Sequence, residues 1–268
     1  MMTQTNPETI ATGAARLRAE ISGHLACVTI SYPERHNIID LEGWLAFPDL
    51  MARLIDKQDV RLIVLRGDGG KAFVAGADIT QFAEKFSGSV SSEYDAATVN
   101  AFEAVTQCPV PTLAAIEGYC IGGGLGLALA CDLRLAREDA SFAIPAARLG
   151  LAYPTRATER LRDTIGRARA KDILFTARRF GAHEALTIGL VNYVTPIPDF
   201  EAELSHRIAS ICANAPLTLR AAKAVLEGKP DADQAELDRK IAACFASADY
   251  EEGRLAFMEK RTPEFKGK

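Results

Sequence analysis

The chain has few of the features that mark nucleic-acid-binding, membrane or metal proteins. Lys and Arg total 31 against 35 Asp and Glu, and a net charge of −4 provides no broad positive field for a nucleic-acid backbone. The longest nearly apolar stretch, residues 118–131, is shorter than the roughly 18–20 residues that a membrane span needs. No CxxC pair and no two histidines at helical spacing occur, so we expect no metal site.

Polar residues also dominate the N-terminus, MMTQTNPETIATG, which has no apolar segment typical of a secretory signal or an anchor. We expect residues 1–13 to form a flexible tail. The cysteines stand singly, mostly in apolar runs, as in proteins that keep their thiols reduced. These two observations favour a cytoplasmic location.

Strand and helix patterns alternate over the first two-thirds of the chain. Residues 16–31 predict a hairpin around Gly23, and residues 41–55 carry apolar side chains at helical spacing. From about residue 166 onward the pattern is almost wholly helical, with long amphipathic segments at 199–227 and 232–261. We therefore predict an α/β core over residues 14–200 and a helical C-terminal region over residues 201–268.

The glycine-rich segment IEGYCIGGGLGLALACD is the most informative stretch of the sequence. Three glycines between a predicted strand and a predicted helix expose backbone N–H groups at the positive end of the helix dipole, where an oxyanion or phosphate binds. The segment is not a P-loop, because no Gly-Lys-Ser/Thr follows, and Leu127 stands where GxGxxG requires its last glycine. Tight packing of strand against helix is the alternative explanation.

A second small-residue turn, in KAFVAGADITQF, favours the oxyanion interpretation. Two N–H groups from separate turns suffice to hold the oxygen of a polarised carbonyl.

Taken together, AFVAGADI, IEGYCIGGGLGLALACDLRLA and FAIPAARLGL resemble the enoyl-CoA hydratase/isomerase (crotonase) superfamily. The segment SYPERHN is similar to the family's entry motif, with Tyr32 where arginine is commoner, and SADYEEGRLAFMEKRTPEF is similar to its C-terminal helix and tail. The resemblance covers about residues 15–268.

This resemblance implies a crotonase-like core of ββα superhelical turns, a spiral, with a helical C-terminal trimerisation region. It implies an acyl-CoA thioester as substrate, coenzyme A being part of that substrate and no prosthetic group being bound. It also implies a homotrimer or hexamer. The net charge and the lack of a long apolar run predict that neither nucleic acid nor a membrane is a partner. An apolar stripe in the last helical segment agrees with subunit contacts; we call it the C-terminal apolar stripe, and its members are Leu237, Ile241, Cys244, Phe245, Leu255 and Phe257.

Carried over residue by residue, the resemblance assigns the oxyanion hole to the backbone N–H groups of Ala77 and Gly123. It places adenine beside residues 75–79, the pantetheine path past Arg35, and two C-terminal residues near the coenzyme A nucleotide at a subunit contact. For those two, helix packing and a solvated lysine are the alternative. The coenzyme A-binding residues so implied are Arg35, Ala75, Gly76, Asp78, Ile79, Phe257 and Lys260.

Two glutamates that hold and split water in hydratases of the family are absent from this chain. Their positions correspond to Gly126 and Ala146, and the later glycine turn is replaced by a segment in which Pro154 has no N–H to offer a water. Because each acid–base group typically contributes 10²–10⁴-fold, hydration by two glutamates is doubtful here.

Two alternatives follow for the reaction. The first alternative is decarboxylation of a malonyl-type acyl-CoA, a reaction that needs no base. Tyr153 matches a functional tyrosine of a decarboxylase in the superfamily. The alternative role for Tyr153 is that of a core tyrosine. A catalytically silent acyl-CoA-binding protein is the second alternative. Arg148 and Arg156 flank the same turn, either as partners of a second substrate carboxylate or as solvent-exposed arginines.

Overall fold

The computed structural model describes residues 7–76, 89–228 and 233–268. Within these ranges, strands alternate with helices up to residue 195, and the remainder is helical apart from connecting turns. The strands are β1 (Glu8–Ile10), β2 (Leu17–Ser22), β3 (Leu25–Ile30), β4 (Leu62–Gly67), β5 (Ala72–Val74), β6 (Thr112–Ile116), β7 (Tyr119–Ile121), β8 (Leu133–Arg137), β9 (Ser141–Ala143), β10 (Phe180–Gly181) and β11 (Tyr193–Thr195). The α-helices are α1 (Leu41–Ile55), α2 (Ser89–Thr106), α3 (Gly123–Ala130), α4 (Thr155–Ile165), α5 (Arg167–Thr176), α6 (Ala182–Thr187), α7 (Phe200–Cys212), α8 (Pro216–Glu227), α9 (Gln234–Phe245) and α10 (Ala248–Glu259).

From β4 to β9, successive strands alternate between two sheets. The larger sheet has the order β1-β2-β3-β4-β6-β8-β11, and the smaller one the order β10-β9-β7-β5. The chain therefore runs β4 to β5 to α2, then β6 to β7 to α3, then β8 to β9 to α4. In the larger sheet the neighbouring strands β3, β4, β6, β8 and β11 pair in parallel, and in the smaller sheet β5, β7 and β9 do so. Stacked repeats require this parallel pairing. This repeat of two strands and a helix confirms the predicted ββα superhelix.

The central strands of the larger sheet are buried on both faces. Strand β6, TLAAI, is buried along its whole length, which explains why its sequence is apolar without alternation. One face belongs to the main core with the helices α1, α2 and α3. The other face packs Leu62, Val64 and Leu135 against Phe200 and Leu204 of α7.

The hairpin and the first helix lie where the sequence predicts them. Strands β2 and β3 pair antiparallel from Leu17↔Ile30 to Ser22↔Leu25, and Gly23 takes a positive φ of 56° in the turn. Helix α1 covers residues 41–55, and its N-cap Asp40 accepts a hydrogen bond from the Gly43 N–H.

Part of the predicted flexible tail is ordered. Residues 8–10 form β1, which pairs antiparallel with β2 through Glu8↔Ile21 and Ile10↔Ala19. The prediction of a tail over residues 1–13 was therefore wrong for this segment, because backbone pairing to a sheet edge needs little apolar sequence. Residues 1–6 lie outside the described residues.

The two long amphipathic segments near the C-terminus each divide into two helices. Pro216 occupies the first turn of α8 and separates it from α7, since proline lacks the N–H that a continuing helix needs. Ser247 caps α10 by accepting from the Tyr250 N–H at 3.1 Å. The short strands β10 and β11 escaped prediction because two or three residues carry no periodicity.

Candidate functional site

A cavity of about 360 Å³ opens between α2, the N-terminus of α3 and the turn before α4. Its wall combines the glycine turns with an apolar floor. The described residues that line it are Ala75, Gly76, Tyr94, Asp95, Thr98, Phe102, Ile121, Gly122, Gly123, Ile144, Pro145, Ala146, Leu149, Leu151, Ala152, Tyr153 and Pro154. The cavity thus brings together both segments from which the sequence predicts an oxyanion site.

Glycine stands at each position of the triplet for a different structural reason. Gly122 adopts a positive φ of 54°, which few other residues tolerate. A Cβ on Gly124 would lie 2.1 Å from the Val74 carbonyl oxygen, so this glycine permits close packing of α3 on β5. Gly123 begins α3 and lines the cavity. As the first helical residue, it has no acceptor for its N–H within the helix, and that donor is available to a ligand.

At Gly126, which the resemblance matches to a glutamate of the family's hydratases, neighbouring side chains leave no free space. A Cβ on Gly126 would lie 2.5 Å from Cζ of Phe102 and 2.8 Å from the hydroxyl oxygen of Tyr153. Contacts this short do not occur for real Cβ atoms, so the space that a glutamate would need is already occupied. The packing of α2 against α3 therefore excludes a side chain at position 126.

The second glutamate position also presents no acid or base. Ala146 lies in a short 3-10 turn over Pro145–Arg148 and adds only a methyl group to the cavity wall. Pro154 is the N-cap of α4 and has no N–H, so it cannot donate to a bound water.

Tyr153 is anchored to the glycine turn. Its hydroxyl donates a hydrogen bond to the carbonyl oxygen of Gly122 at 3.0 Å, and the same oxygen accepts from the Gly126 N–H at 3.0 Å. Burial raises the pKa of the Tyr153 phenol above its ordinary value, so the group stays protonated at neutral pH. Because its proton already has an acceptor, Tyr153 is a poor proton donor to a ligand in this geometry.

Asn37, in the motif SYPERHN, holds the second turn in place. Its side-chain amide is fully buried and donates to the carbonyls of Asp68 and Ala72, while its oxygen accepts from the Tyr32 N–H. The adjoining backbone also ties this loop to the cavity wall, since the Ala75 N–H donates to the carbonyl of His36. Within this motif Asn37 thus has a structural role, and it positions the strand end that leads to Ala75 and Gly76.

The structure places the predicted site residues in three groups. Ala75, Gly76, Gly123 and Tyr153 line the cavity. Arg35, Phe257 and Lys260 are exposed and do not line it, and Phe257 is 86% exposed. The contacts of Arg35 with the pantetheine path, and of Phe257 and Lys260 with the coenzyme A nucleotide, stay predictions. The last group, Ala77, Asp78 and Ile79, lies outside the described residues.

The cavity wall does not include Arg148 and Arg156, the two arginines that flank the turn before α4. Both are exposed, and Arg156 forms an ion pair with Glu159 at 3.4 Å. Their positions favour the interpretation as solvent-exposed helix arginines.

Sequence reasoning missed the contribution of α2. Tyr94, Asp95, Thr98 and Phe102 recur at helical spacing, so they share one face of the helix, and all four line the cavity. Desolvation raises the pKa of the Asp95 carboxyl. The spacing could have identified the face, but nothing in the sequence indicates that this face meets the glycine turn.

Trp44 supports the floor of the cavity from α1. A Cβ on Gly123 would lie 3.2 Å from its ring, and its indole N–H donates to the Tyr94 hydroxyl at 2.6 Å. The Tyr94 hydroxyl in turn donates to the carbonyl of Ile39 at 2.9 Å. This chain of buried hydrogen bonds links α1 and α2 directly beneath the glycine triplet.

Within the described ranges, no cluster of three or more His, Cys, Asp or Glu side chains is arranged to hold a metal ion. The same part of the chain contains no helix with the length and apolar character needed to cross a membrane.

Comparison with known proteins connects this site to a family. The family model described as enoyl-CoA hydratase/isomerase matches residues 20–268. The crotonyl-CoA hydratase of Syntrophomonas wolfei is 33% identical over 248 residues, which cover 90% of this chain and 94% of that protein. The short-chain-enoyl-CoA hydratase of Clostridium acetobutylicum is 31% identical over 253 residues, covering 91% and 95% of the two chains. A crystal structure of an enoyl-CoA hydratase/carnithine racemase from Magnetospirillum magneticum superposes with a TM-score of 0.90 at 32% identity, over 95% of this chain and 97% of that one.

Proposed function

The chain belongs to the enoyl-CoA hydratase/isomerase family, and from this premise we propose that it binds an acyl-CoA thioester and stabilises the thioester enolate with two backbone N–H groups. One donor is the N–H of Gly123, and the other, from the sequence motif, is the N–H of Ala77. The observation that carries the proposal is the position of Gly123 at the start of α3, on the wall of a cavity that Ala75 and Gly76 also line.

The backbone donors supply the stabilisation that this chemistry requires. Negative charge develops on the thioester oxygen as an enolate forms, and each donor aimed at that oxygen contributes roughly 3–4 kcal/mol. The N-terminus of α3 adds the positive end of its dipole at the same point. The cavity is largely apolar, which strengthens both effects by excluding water.

We further propose that the reaction does not use the family's pair of glutamates. Gly126 has no room for a side chain, and Ala146 presents a methyl group. Hydration of crotonyl-CoA should therefore be weak or absent, although relatives carry names of that activity.

Decarboxylation of a malonyl-type acyl-CoA is the second candidate, because loss of CO₂ generates the enolate without a base. The hydroxyl of Tyr153 on the cavity wall favours it, since this group could contact a departing carboxylate. Against it stands the hydrogen bond that already occupies the Tyr153 proton. A third possibility, a silent binder, would bind acyl-CoA without turnover.

The test compares two substitutions of Gly123. Gly123→Pro removes the N–H and is compatible with the first position of a helix, whereas Gly123→Ala adds a Cβ at the same place but keeps the N–H. Crotonyl-CoA and methylmalonyl-CoA serve as substrates, with the hydrated product and released CO₂ measured separately. Gly123→Ala places a Cβ 3.2 Å from the Trp44 ring, which must shift slightly, so we expect a modest loss of turnover there and a loss of at least a hundredfold in Gly123→Pro. Equal turnover in the two variants would contradict the oxyanion role of this N–H.

A further inference from the structure

The face of α2 that lines the cavity carries two polar side chains that the proposed enolate chemistry does not use. Asp95 and Thr98 are three residues apart, one turn of the helix. Among the cavity-lining residues that the structure describes, Asp95 is the only carboxylate. It is exposed, so it stands at the rim, while Thr98 is 7% exposed and lies deeper.

The hydroxyl of Thr98 lacks a hydrogen-bond partner among the described residues, although it is buried. Threonines inside helices commonly donate to the carbonyl four residues earlier. In this chain Thr106 donates to Phe102, Thr164 to Arg160 and Thr176 to Asp172 in that way. Thr98 departs from this pattern, and a buried hydroxyl without a partner is costly to the free protein.

A ligand group that repairs the cost at Thr98 could also pair with the exposed carboxylate of Asp95, one helical turn away. An ionised Asp95 only accepts hydrogen bonds, whereas the Thr98 hydroxyl donates and accepts. A ligand hydroxyl can donate to Asp95 and, once a change of rotamer turns the buried Thr98 hydroxyl to the cavity, accept from Thr98. A methyl or methylene group satisfies neither side chain.

The position along α2 indicates which part of the acyl chain reaches these side chains. Phe102 lies against Gly126, where the family's first glutamate would approach the reacting carbons. Thr98 is four residues and Asp95 seven residues closer to the helix N-terminus, about 6 and 10 Å along the axis. The pair is therefore too far from the Gly126 position to act on the α or β carbon.

We propose that Asp95 and Thr98 form a polar subsite that selects an acyl-CoA carrying a hydroxyl on its acyl chain beyond the β carbon. This inference rests on the proposed function, because it assumes that the cavity holds the acyl group. It assigns to α2 the role of specificity-determining element.

The experiment measures the dissociation constants of matched pairs of thioesters by calorimetry: butyryl-CoA against 4-hydroxybutyryl-CoA, and hexanoyl-CoA against 6-hydroxyhexanoyl-CoA. We expect at least one hydroxylated member to bind about tenfold more tightly than its partner. If neither member of either pair binds, the proposed function itself fails. If all bind with equal affinity, the proposed function stands and the subsite is refuted.

Two substitutions test whether Asp95 and Thr98 cause the preference for the hydroxylated thioester. Thr98→Val keeps the shape and removes the hydroxyl, and Asp95→Ala removes the acceptor; each should reduce the tenfold preference to about twofold or less. The matched controls on the same helix are Thr106→Val and Glu93→Ala, neither of which lines the cavity. Both controls should keep the preference.

Thr98→Val has a second readout in the absence of ligand. Because it removes a buried hydroxyl without a partner, we expect it to raise Tm, whereas Thr106→Val removes a hydrogen-bonded hydroxyl and should not. A preference that persists in Thr98→Val, or a fall in its Tm, would overturn the assignment.

Discussion

The hydroxyl of Tyr153 donates to the carbonyl oxygen of Gly122 at 3.0 Å, and this carbonyl belongs to the same peptide unit as the N–H of Gly123. A hydrogen bond accepted by a carbonyl fixes the peptide plane and strengthens the N–H at its other end. Tyr153 therefore acts on the proposed oxyanion donor through the backbone, as a positioning residue.

Replacing Tyr153 with Phe should lower kcat about three- to tenfold with little change in KM, because one neutral hydrogen bond contributes about 0.5–1.5 kcal/mol. The Gly122 oxygen keeps its bond from the Gly126 N–H, so no buried acceptor is left unsatisfied and Tm should fall by only a few degrees. Steady-state kinetics and thermal denaturation measure the two quantities.

The matched control is Tyr119→Phe, because Tyr119 does not line the cavity. It should leave kcat unchanged. Unchanged kcat in Tyr153→Phe as well would show that Tyr153 serves only in packing and does not position the Gly123 N–H.

Gly126→Ala should destabilise the fold by about 1–3 kcal/mol, because the added methyl group has no space. Its Cβ would lie 2.5–2.6 Å from two ring carbons of Phe102. Gly181→Ala is the control, since a Cβ there meets no atom within 4 Å. Urea denaturation measures the free energy of unfolding of both variants. If Gly126→Ala and Gly181→Ala have equal values, α2 moves away from α3 at little cost.

The sequence motifs identified those site residues whose role depends on a short continuous segment. Gly76 and Gly123 were identified because each lies in a motif whose chemistry is local, a turn or a helix start, whereas Tyr153 was identified through the family resemblance. Asp95 and Thr98 were not, because their position depends on which face of α2 meets α3 in three dimensions. That packing is decided by the fit of Phe102 against Gly126, a contact between residues far apart in the chain.

The fold was predicted where local patterns are strong. The hairpin turn at Gly23 and the helix beginning after Asp40 carry their own signals, and the structure confirms both. Strand β11 pairs in parallel with β8 through Tyr193↔Leu135, and the short segment has no pattern of its own. The ββα arrangement itself came from the family resemblance and not from periodicity.

Asn37→Ala should lower the free energy of unfolding by about 2–4 kcal/mol, because it leaves several buried backbone groups without partners. It should also weaken acyl-CoA binding, since the same loop holds Ala75 through the His36 carbonyl. Asn214→Ala is the control, because Asn214 is exposed and bonds only within its own helical turn. A stable Asn37→Ala protein with normal binding would show that the loop is held by other contacts.

The C-terminal apolar stripe predicts an oligomer. In the single chain Phe257 is 86% exposed and Phe245 65% exposed, and both Ile241 and Leu255 are exposed as well. Soluble monomers rarely expose contiguous apolar patches of this kind, so we expect other copies of the chain to cover them. Light scattering at micromolar concentration should give three or six times the chain mass of 28.9 kDa.

The substitution Phe257→Glu places a charge in that expected contact and should reduce the measured mass towards 28.9 kDa. The control is Phe175→Glu, because Phe175 on α5 is 75% exposed and lies outside the stripe. If the parent protein already has the mass of a single chain, the oligomer is excluded. If both variants keep an oligomeric mass, the subunit contact does not depend on Phe257, and the assignment of this residue to a shared coenzyme A site loses its basis.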